Sequence, residues 1–482
     1  MKKFSRITSL MLALVMIVGL AAACGNSNNA ANSSSAASTN SASGNTSAET
    51  DTVTALLPPV SATYQGNFNK FSKDFNAKYP NLTLKIEPAS WEDMTQKLDV
   101  QVNAGSPPDI AFIGADGISK YVDTGLLMNI KDIATADMIS DFDEGPLNYM
   151  KNGDGLYGFP AYMEIHAIGG NKQYLEQAGI DYKSIQQNGW TFEQFRDAVK
   201  KGVVKEGNAT KRYGFVFACA GVAAKDYLSI MVKSAGMPSS FTNDLKYAYT
   251  SKNYLELLKE LRTLIDDGSM PKELSSVDAG KRWNMFLTGQ TMITGKGLAT
   301  FENSANKNNA KIDAKDGSAV KDSIKVDYIV LPIPSFAGAQ AVSTPAVDGY
   351  VTFRGKNEPT KAHVDNVVKA AYYMASGEVA AMTNNDLFVA HITKSANEAA
   401  KSMKIDRNPD NETAVQNMLK IAAPARPDIP TDLGAKAIKI EDEVIIPKFQ
   451  ALLANEITPE DMFKAVREAA IAAFGEDGIV KD

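Results

Sequence analysis

The stretch Phe71–Gly114, FSKDFNAKYPNLTLKIEPASWEDMTQKLDVQVNAGSPPDIAFIG, decides the fold class. Phe71 and Phe75, with Phe68 just ahead, fall at the spacing of one helix face, and Pro80 stops that helix. Leu82, Leu84 and Ile86 alternate with polar residues, as a half-buried strand does. Ser90 is placed to cap a second helix, acidic residues follow it, and Met94, Leu98 and Val102 form its inner stripe up to Gly105. The wholly apolar run in PPDIAFIG then predicts a buried strand, and TVTALLPP upstream predicts the first one. Strand, helix, strand, helix, strand, with apolar strands between amphipathic helices, is the pattern of an α/β sheet covered on both faces.

The far end of the chain is mostly helical. In ITPEDMFKAVREAAIAAFG, Thr458 is an N-cap, Pro459 takes the first helical position, and Glu460 and Asp461 follow in the first turn. No internal repeat is visible. The 482-residue chain is 44% hydrophobic and 22% charged, an ordinary globular mixture long enough for two or three domains. Its net charge of −6 argues against a nucleic-acid partner, whose phosphates require a basic patch.

The first residues follow a different logic. Lys2, Lys3 and Arg6 precede an apolar run from Ile7 to Ala23, too short for a transmembrane span of about 20 residues. A positive head, a short apolar core and small residues at its exit predict a signal peptide over 1–23. The exit Leu20-Ala21-Ala22-Ala23-Cys24 resembles the lipobox of bacterial lipoproteins, with Ala21 where leucine is usual. That resemblance implies cleavage before Cys24 and a diacylglycerol on its sulfur. It places the protein outside the cytoplasm, held to the cell membrane through the lipid. Stable anchoring needs two lipid signals, which a diacylglycerol with an N-terminal acyl group would supply. From 24 to 52 the chain is rich in Ser, Asn and Ala and lacks the apolar side chains that offset ordering entropy. A flexible linker of about 28 residues would reach on the order of 30 Å.

Catalytic and metal motifs mostly fail on context. GDGLYG (153–158) fits the dinucleotide spacing, but Phe159 and Pro160 follow where a helix should begin, so it is expected to be a turn. GQTMITGKG (289–297) has the wrong spacing for a P-loop and Gly297 where a hydroxyl is needed. His166, His363 and His391 are far apart and fit no zinc pattern, and there is no G-x-S-x-G elbow, so neither a metal nor a cofactor is expected. Glu441-Asp442-Glu443 suggests a solvated helix face. Cys219, in an apolar stretch, is expected to behave as a small buried hydrophobe.

Several segments, in order, resemble family-1 extracellular solute-binding proteins of ABC importers, of the carbohydrate type that includes the maltose binders. They are FSKDFNAKYPNLTLKI; AGSPPDIAFIGADGISKYVDTGLLMNI; LYGFPAYMEIHAIGGNKQYLEQAGID followed by GWTFEQF; FLTGQTMITGKG; YIVLPIPS; and ITPEDMFKAVREAA. The similarity spans about Val53 to the C-terminus. It implies an α/β, two-lobed periplasmic-binding-protein-like fold of type II, with hinge strands between the lobes. By matching segments, the N-terminal lobe is expected over 53–162 and 333–388, and the C-terminal lobe over 163–332 and 389–482. Crossings would fall near Ala161–Ile165, Val330–Ile333 and Val389–Ile392. The implied function is capture of a sugar or oligosaccharide in the interlobe cleft and delivery to ABC permease subunits, without catalysis, by a monomer.

A sugar presents hydroxyls at its rim and weakly apolar faces, so carboxylates, donors and aromatic rings are the side chains to seek. Asp116 directly follows a predicted strand and matches a ligand-binding position of the family; it could equally start a helix. Glu164, seven residues before Asn171, matches a ligand-contacting glutamate of the maltose binders or a hinge ion pair. His166 alternates with Glu164 along an extended chain. Tyr64, in the loop after the first strand, could stack on a ligand or face solvent. Trp91 is a cleft platform or, preferably, a packing anchor. Lys296, Asp348, Tyr350 and Arg426 complete the candidates. Gly169-Gly170 and Gly297 stand where the family commonly places aromatic residues, and the chain has only 3 Trp against 17 Tyr, which argues against a maltodextrin with several stacked rings. A surface glycoside-acting enzyme, a binder of a non-sugar solute and an adhesion or sensory lipoprotein are the alternatives.

Overall fold

The computed structural model describes residues 50–481 except 62, 222, 337, 356 and 406; the expected leader, Cys24 and nearly all of the linker lie outside the described residues. The opening pattern folds as its periodicity dictates. β1 (Asp51–Leu57), α1 (Phe68–Lys78), β2 (Leu82–Pro88), α2 (Trp91–Ala104) and β3 (Ile110–Gly114) follow one another. β1 pairs in parallel with both β2 and β3. Phe68, Phe71 and Phe75 all turn inward from α1. The Ser90 side chain accepts from the Asp93 N–H, and Gly105 closes α2 at φ 73°, a conformation that costs glycine little. At the far end, Thr458 and Asp461 form a reciprocal capping box on the helix Pro459–Phe474.

One strand organises the molecule. Gly158–Asn171, 14 residues long, runs through both halves. Its first part pairs antiparallel with Thr344–Thr352, which in turn pairs with β3. Its second part pairs with Thr291–Gly297 on one side and Tyr328–Leu331 on the other. Thr291–Gly297 runs parallel to Ala209–Phe217, and a short edge strand, Val204–Glu206, ends the sheet. Two large apolar cores flank this shared strand. The first gathers Val53, Phe71, Phe112, Val351 and Met374. The second gathers Phe195, Phe215, Tyr227, Leu257, Phe449 and Val466. A smaller cluster of Ile165, Phe286, Tyr328 and Met418 lies across the sheet from the second core, since Tyr328 and Val330 alternate with Ile329 and Leu331.

Two of the later crossings lie further along the chain than the matched segments imply. Ser335 bonds Trp190 of the second lobe and Phe336 donates to the Ser234 carbonyl, so the chain stays with that lobe until near Ser343. Val389 and Ile392 pack into the first core, and Asp141 of the first lobe accepts from the Ser395 N–H and hydroxyl. The passage to the second lobe therefore comes after the helix Lys394–Ala400, where Asn408 donates to Glu302. Hydrogen bonds made across long sequence separations set these points, and segment matching carries no information about them.

GDG forms the tight turn of a two-stranded hairpin, with Gly153 at φ 54°. Cys219 is fully buried in the second core. Among the described residues no helix is long and apolar enough to cross a membrane, and no group of three or more His, Cys, Asp or Glu could hold a metal ion.

Candidate functional site

The shared strand supplies the floor of the site. Side chains two apart on a strand share a face, and directly opposed residues on an antiparallel neighbour share it too. The register opposes Tyr162 to Asp348, Glu164 to Ala346 and His166 to Thr344. Three polar rungs therefore line one face of the sheet where the lobes join. Tyr162 donates to Asp348 at 2.5 Å. Ala346 leaves space opposite Glu164, whose Oε1 is buried without a hydrogen-bond partner; His166 Nδ1 and Thr344 Oγ1 are likewise buried and unpartnered.

The walls come from the carboxyl ends of parallel strands, where open α/β sheets place ligand groups. Asp116 sits in the turn after β3, and Trp91 begins the helix after β2. From the other lobe, the helix Ala223–Ser234 follows the strand Ala209–Phe217. Its apolar side is buried, while Lys225, Asp226, Ser229 and Lys233 form the remaining face. Lys296 Nζ bonds Asp226 at 3.2 Å. Lys225 reaches Asp116 of the first lobe at 3.2 Å and Glu441 of its own lobe at 3.1 Å, so one ammonium spans the gap. Asp116 nevertheless keeps 70% of its side-chain surface open to solvent, as a group at the mouth of a cleft does.

The electrostatics follow from this crowding. Burial pushes the Glu164 carboxyl up to about 7; Lys296 pulls it down, and Asp348 and Asp226 push it up further. Burial also raises Asp348, against the lowering effect of the Tyr162 hydroxyl. His166 is driven well below its ordinary value by burial and by Lys296 and Lys233, so its imidazole is neutral. The surroundings of Asp116 push its carboxyl up, but Lys225 more than offsets this and leaves it below the ordinary value. For Lys296, burial works against the ammonium and Asp226 and Glu164 more than restore it. The result is a polar, unevenly charged cleft that can accept hydroxyl hydrogens at its carboxylates and donate at its lysines.

Of the residues singled out in the sequence, Asp116, Glu164, His166, Lys296 and Asp348 come together here. Trp91 stands at its edge: it is 45% exposed, donates from Nε1 to the Pro59 carbonyl, and meets Phe112 edge-on, so it is not a packing anchor. Tyr64 and Tyr350 do not present faces to a ligand. Both are buried in the first core, their hydroxyls 2.5 Å apart, because the loop after β1 folds inward and Tyr64 packs on Phe68 and Phe71. Arg426 is also spent elsewhere, on Asp428 and the carbonyls of Phe241 and Thr242. A side chain at Gly297 could not reach the cleft as a platform, since its Cβ would lie 2.4 Å from the Ile168 carbonyl carbon.

Several contributors were not foreseen, Tyr162 and Asp226 among them. Lys225 and Lys233 carry a signal, since with Ser229 between them they recur every fourth residue on a helix whose other side is apolar. Glu441 was expected on a solvated face and instead meets Lys225. Thr344 stands out only through its register with His166. A separate depression of about 780 Å³, walled by Leu147, Tyr149, Met163, Leu419, Ala423 and Pro427, lies on the reverse face of the shared strand, since Met163 alternates with Glu164.

Residues 56–380 match the family described as bacterial extracellular solute-binding protein. A binding protein of Brucella abortus is 27% identical over 229 residues, 47% of this chain and 54% of the relative, so the chain spans about half the length of that curated relative. An ABC substrate-binding protein from Listeria monocytogenes, solved in complex with cycloalternan, superposes with a TM-score of 0.67 at 18% identity, covering 89% of this chain and 100% of that one. An ABC transporter solute-binding protein from Thermotoga lettingae, bound with α-D-tagatose, superposes with a TM-score of 0.68 at 19% identity, covering 88% and 100%. At these identities the superpositions establish a shared two-lobed α/β fold.

Proposed function

Because the chain belongs to the bacterial extracellular solute-binding protein family, whose members bind solutes and are not enzymes, we propose that it captures a sugar or oligosaccharide between its lobes and delivers it to the membrane subunits of an ABC importer. The observation that carries this reading is the hinge ladder. Glu164 Oε1 is a buried acceptor with no partner, flanked by Asp348 and within the field of Lys296. Leaving such an acceptor unsatisfied costs about 1–3 kcal/mol, a cost a bound hydroxyl removes. Trp91 at the rim offers an exposed ring to a sugar face. Cycloalternan and tagatose in two proteins of the same fold agree with a carbohydrate.

Ligand contacts to both lobes would hold the closed form against the open one, and the permease would recognise that difference. The resemblance at Cys24 supports a lipid anchor, with the linker holding a monomer clear of the membrane on the extracytoplasmic side.

The test is a thermal-shift screen of mono- and oligosaccharides with product analysis. A bound sugar at 100 times its Kd raises stability by about 2.7 kcal/mol and is recovered unchanged. Binding only by non-carbohydrate solutes, or conversion of the sugar, would refute the reading. The anchor is tested separately: Cys24→Ala should release the protein from membranes into the medium, and unchanged partitioning would refute it.

A further inference from the structure

The cleft lysines differ in one respect. Lys225 is paired with Asp116 and Glu441, and Lys296 with Asp226. Lys233, two helical turns beyond Lys225 on the same face and half-buried, has no ion pair among the described residues, although Glu441 and Asp116 favour its charge from further away. Its charge is felt by His166 on the floor. There the rung His166–Thr344 presents two further unpartnered polar atoms, His166 Nδ1 and Thr344 Oγ1, on residues only 7% and 6% exposed. A neutral imidazole has one N–H to give and a threonine hydroxyl has one O–H, and the end of the helix that carries Lys233 is tied to the start of Thr344's strand by the Ser234 hydroxyl, which donates to the Val342 carbonyl at 3.0 Å. At the other end of the ladder the chemistry reverses, with Asp348 and Glu164 offering acceptors. The floor is therefore polarised along its length.

We infer that the solute carries a carboxylate at the end held by Lys233, His166 and Thr344, and hydroxyls at the end facing Glu164 and Asp348: an acidic, uronate-type saccharide in place of a neutral one. The inference rests on the sugar-binding reading above. A carboxylate accepts from an ammonium, an imidazole N–H and a hydroxyl at once, and charge-assisted hydrogen bonds of this kind are roughly twice as strong as neutral ones. A hydroxyl could occupy the same place but would leave the ammonium with only Glu441 and Asp116, neither of them within ion-pair distance.

The experiment titrates the purified full chain by calorimetry with uronate-terminated di- and trisaccharides and with their carboxyl-reduced, neutral counterparts. The uronates should bind at least tenfold more tightly than the reduced sugars. Lys233→Met should erase that preference while leaving the melting temperature of the unliganded protein equal or higher. Equal or tighter binding of the reduced sugars, or a preference that survives Lys233→Met, overturns the inference and leaves the sugar-binding reading intact. If neither series binds, nor any saccharide of the thermal screen, both fall together.

Discussion

Replacing Glu164 by Gln should stabilise the unliganded protein and impair ligand binding, with a pH dependence of defined sign. An ordinary glutamate titrates near 4.5, whereas burial and the neighbouring acids Asp348 and Asp226 move this one to about 7. That difference corresponds to about 3 kcal/mol of penalty on the ionised form, at roughly 1.4 kcal/mol per pH unit. The folded state holds the proton more tightly than the unfolded state, so between about pH 4.5 and 7 the protein loses stability as pH rises. Above about 7 the full penalty is present. Glutamine cannot ionise, so the variant escapes it. Expressed as variant minus wild type, stability should climb by about 3 kcal/mol between pH 4.5 and 8, because contributions from groups that do not interact with Glu164 cancel in the difference. Urea denaturation of both proteins at several pH values reads this directly. A stability difference that stays flat across the range would refute the reasoning, since it would mean that Glu164 is not held in a site that resists its ionisation. Sugar binding at pH 8 should weaken in the variant, because an acceptor becomes a mixed donor and acceptor.

His363 joins the beginnings of two strands to a helix: Nδ1 lies 2.9 Å from Asp51 and Nε2 3.2 Å from Asp109. Burial works against its charge, but these two carboxylates raise its pKa above 6.5. Its stabilisation is therefore complete below pH 6.5 and lost as pH rises through the higher folded value. His363→Ala should cost about 1–3 kcal/mol at pH 5.5 and clearly less at pH 9, measured by denaturation; an equal cost at both pH values would count against it. Gly297→Ala should lower stability by about 1–3 kcal/mol, since the new Cβ would sit 2.4 and 2.5 Å from backbone atoms of Ile168 and Gly169 and push two strands apart. An unchanged melting temperature would show that the strands yield freely.

The first lobe's alternation of strands and helices was legible because each element is specified locally. Phe68, Phe71 and Phe75 choose a helix by spacing alone, Leu82 and Leu84 a strand, and Ser90 and Gly105 mark where α2 begins and ends. The candidate site was legible in part. Asp116 directly follows a strand that the order of elements already implied, while Glu164 and Lys296 fall in segments that match the family. Tyr64 misled because a tyrosine in a loop has the same local signature whether it faces solvent or folds back on Phe68 and Phe71. Glu441 misled because an acidic run on a helix usually faces water, and only the arrival of Lys225 from another helix gives it a partner.

By itself the sequence determined the class of fold, the alternating strands and helices of the first lobe and the capped helix at the far end, since periodicity, caps and composition act over a few residues at a time. Only the tertiary structure decided which side chains share the cleft. Asp348 meets Tyr162, and Thr344 meets His166, through the register of two strands far apart in the chain. A one-residue slip in that register would turn the strand's polar set to the other face. The energy that fixes it comes from cores built of residues distant in sequence, and no local pattern records it.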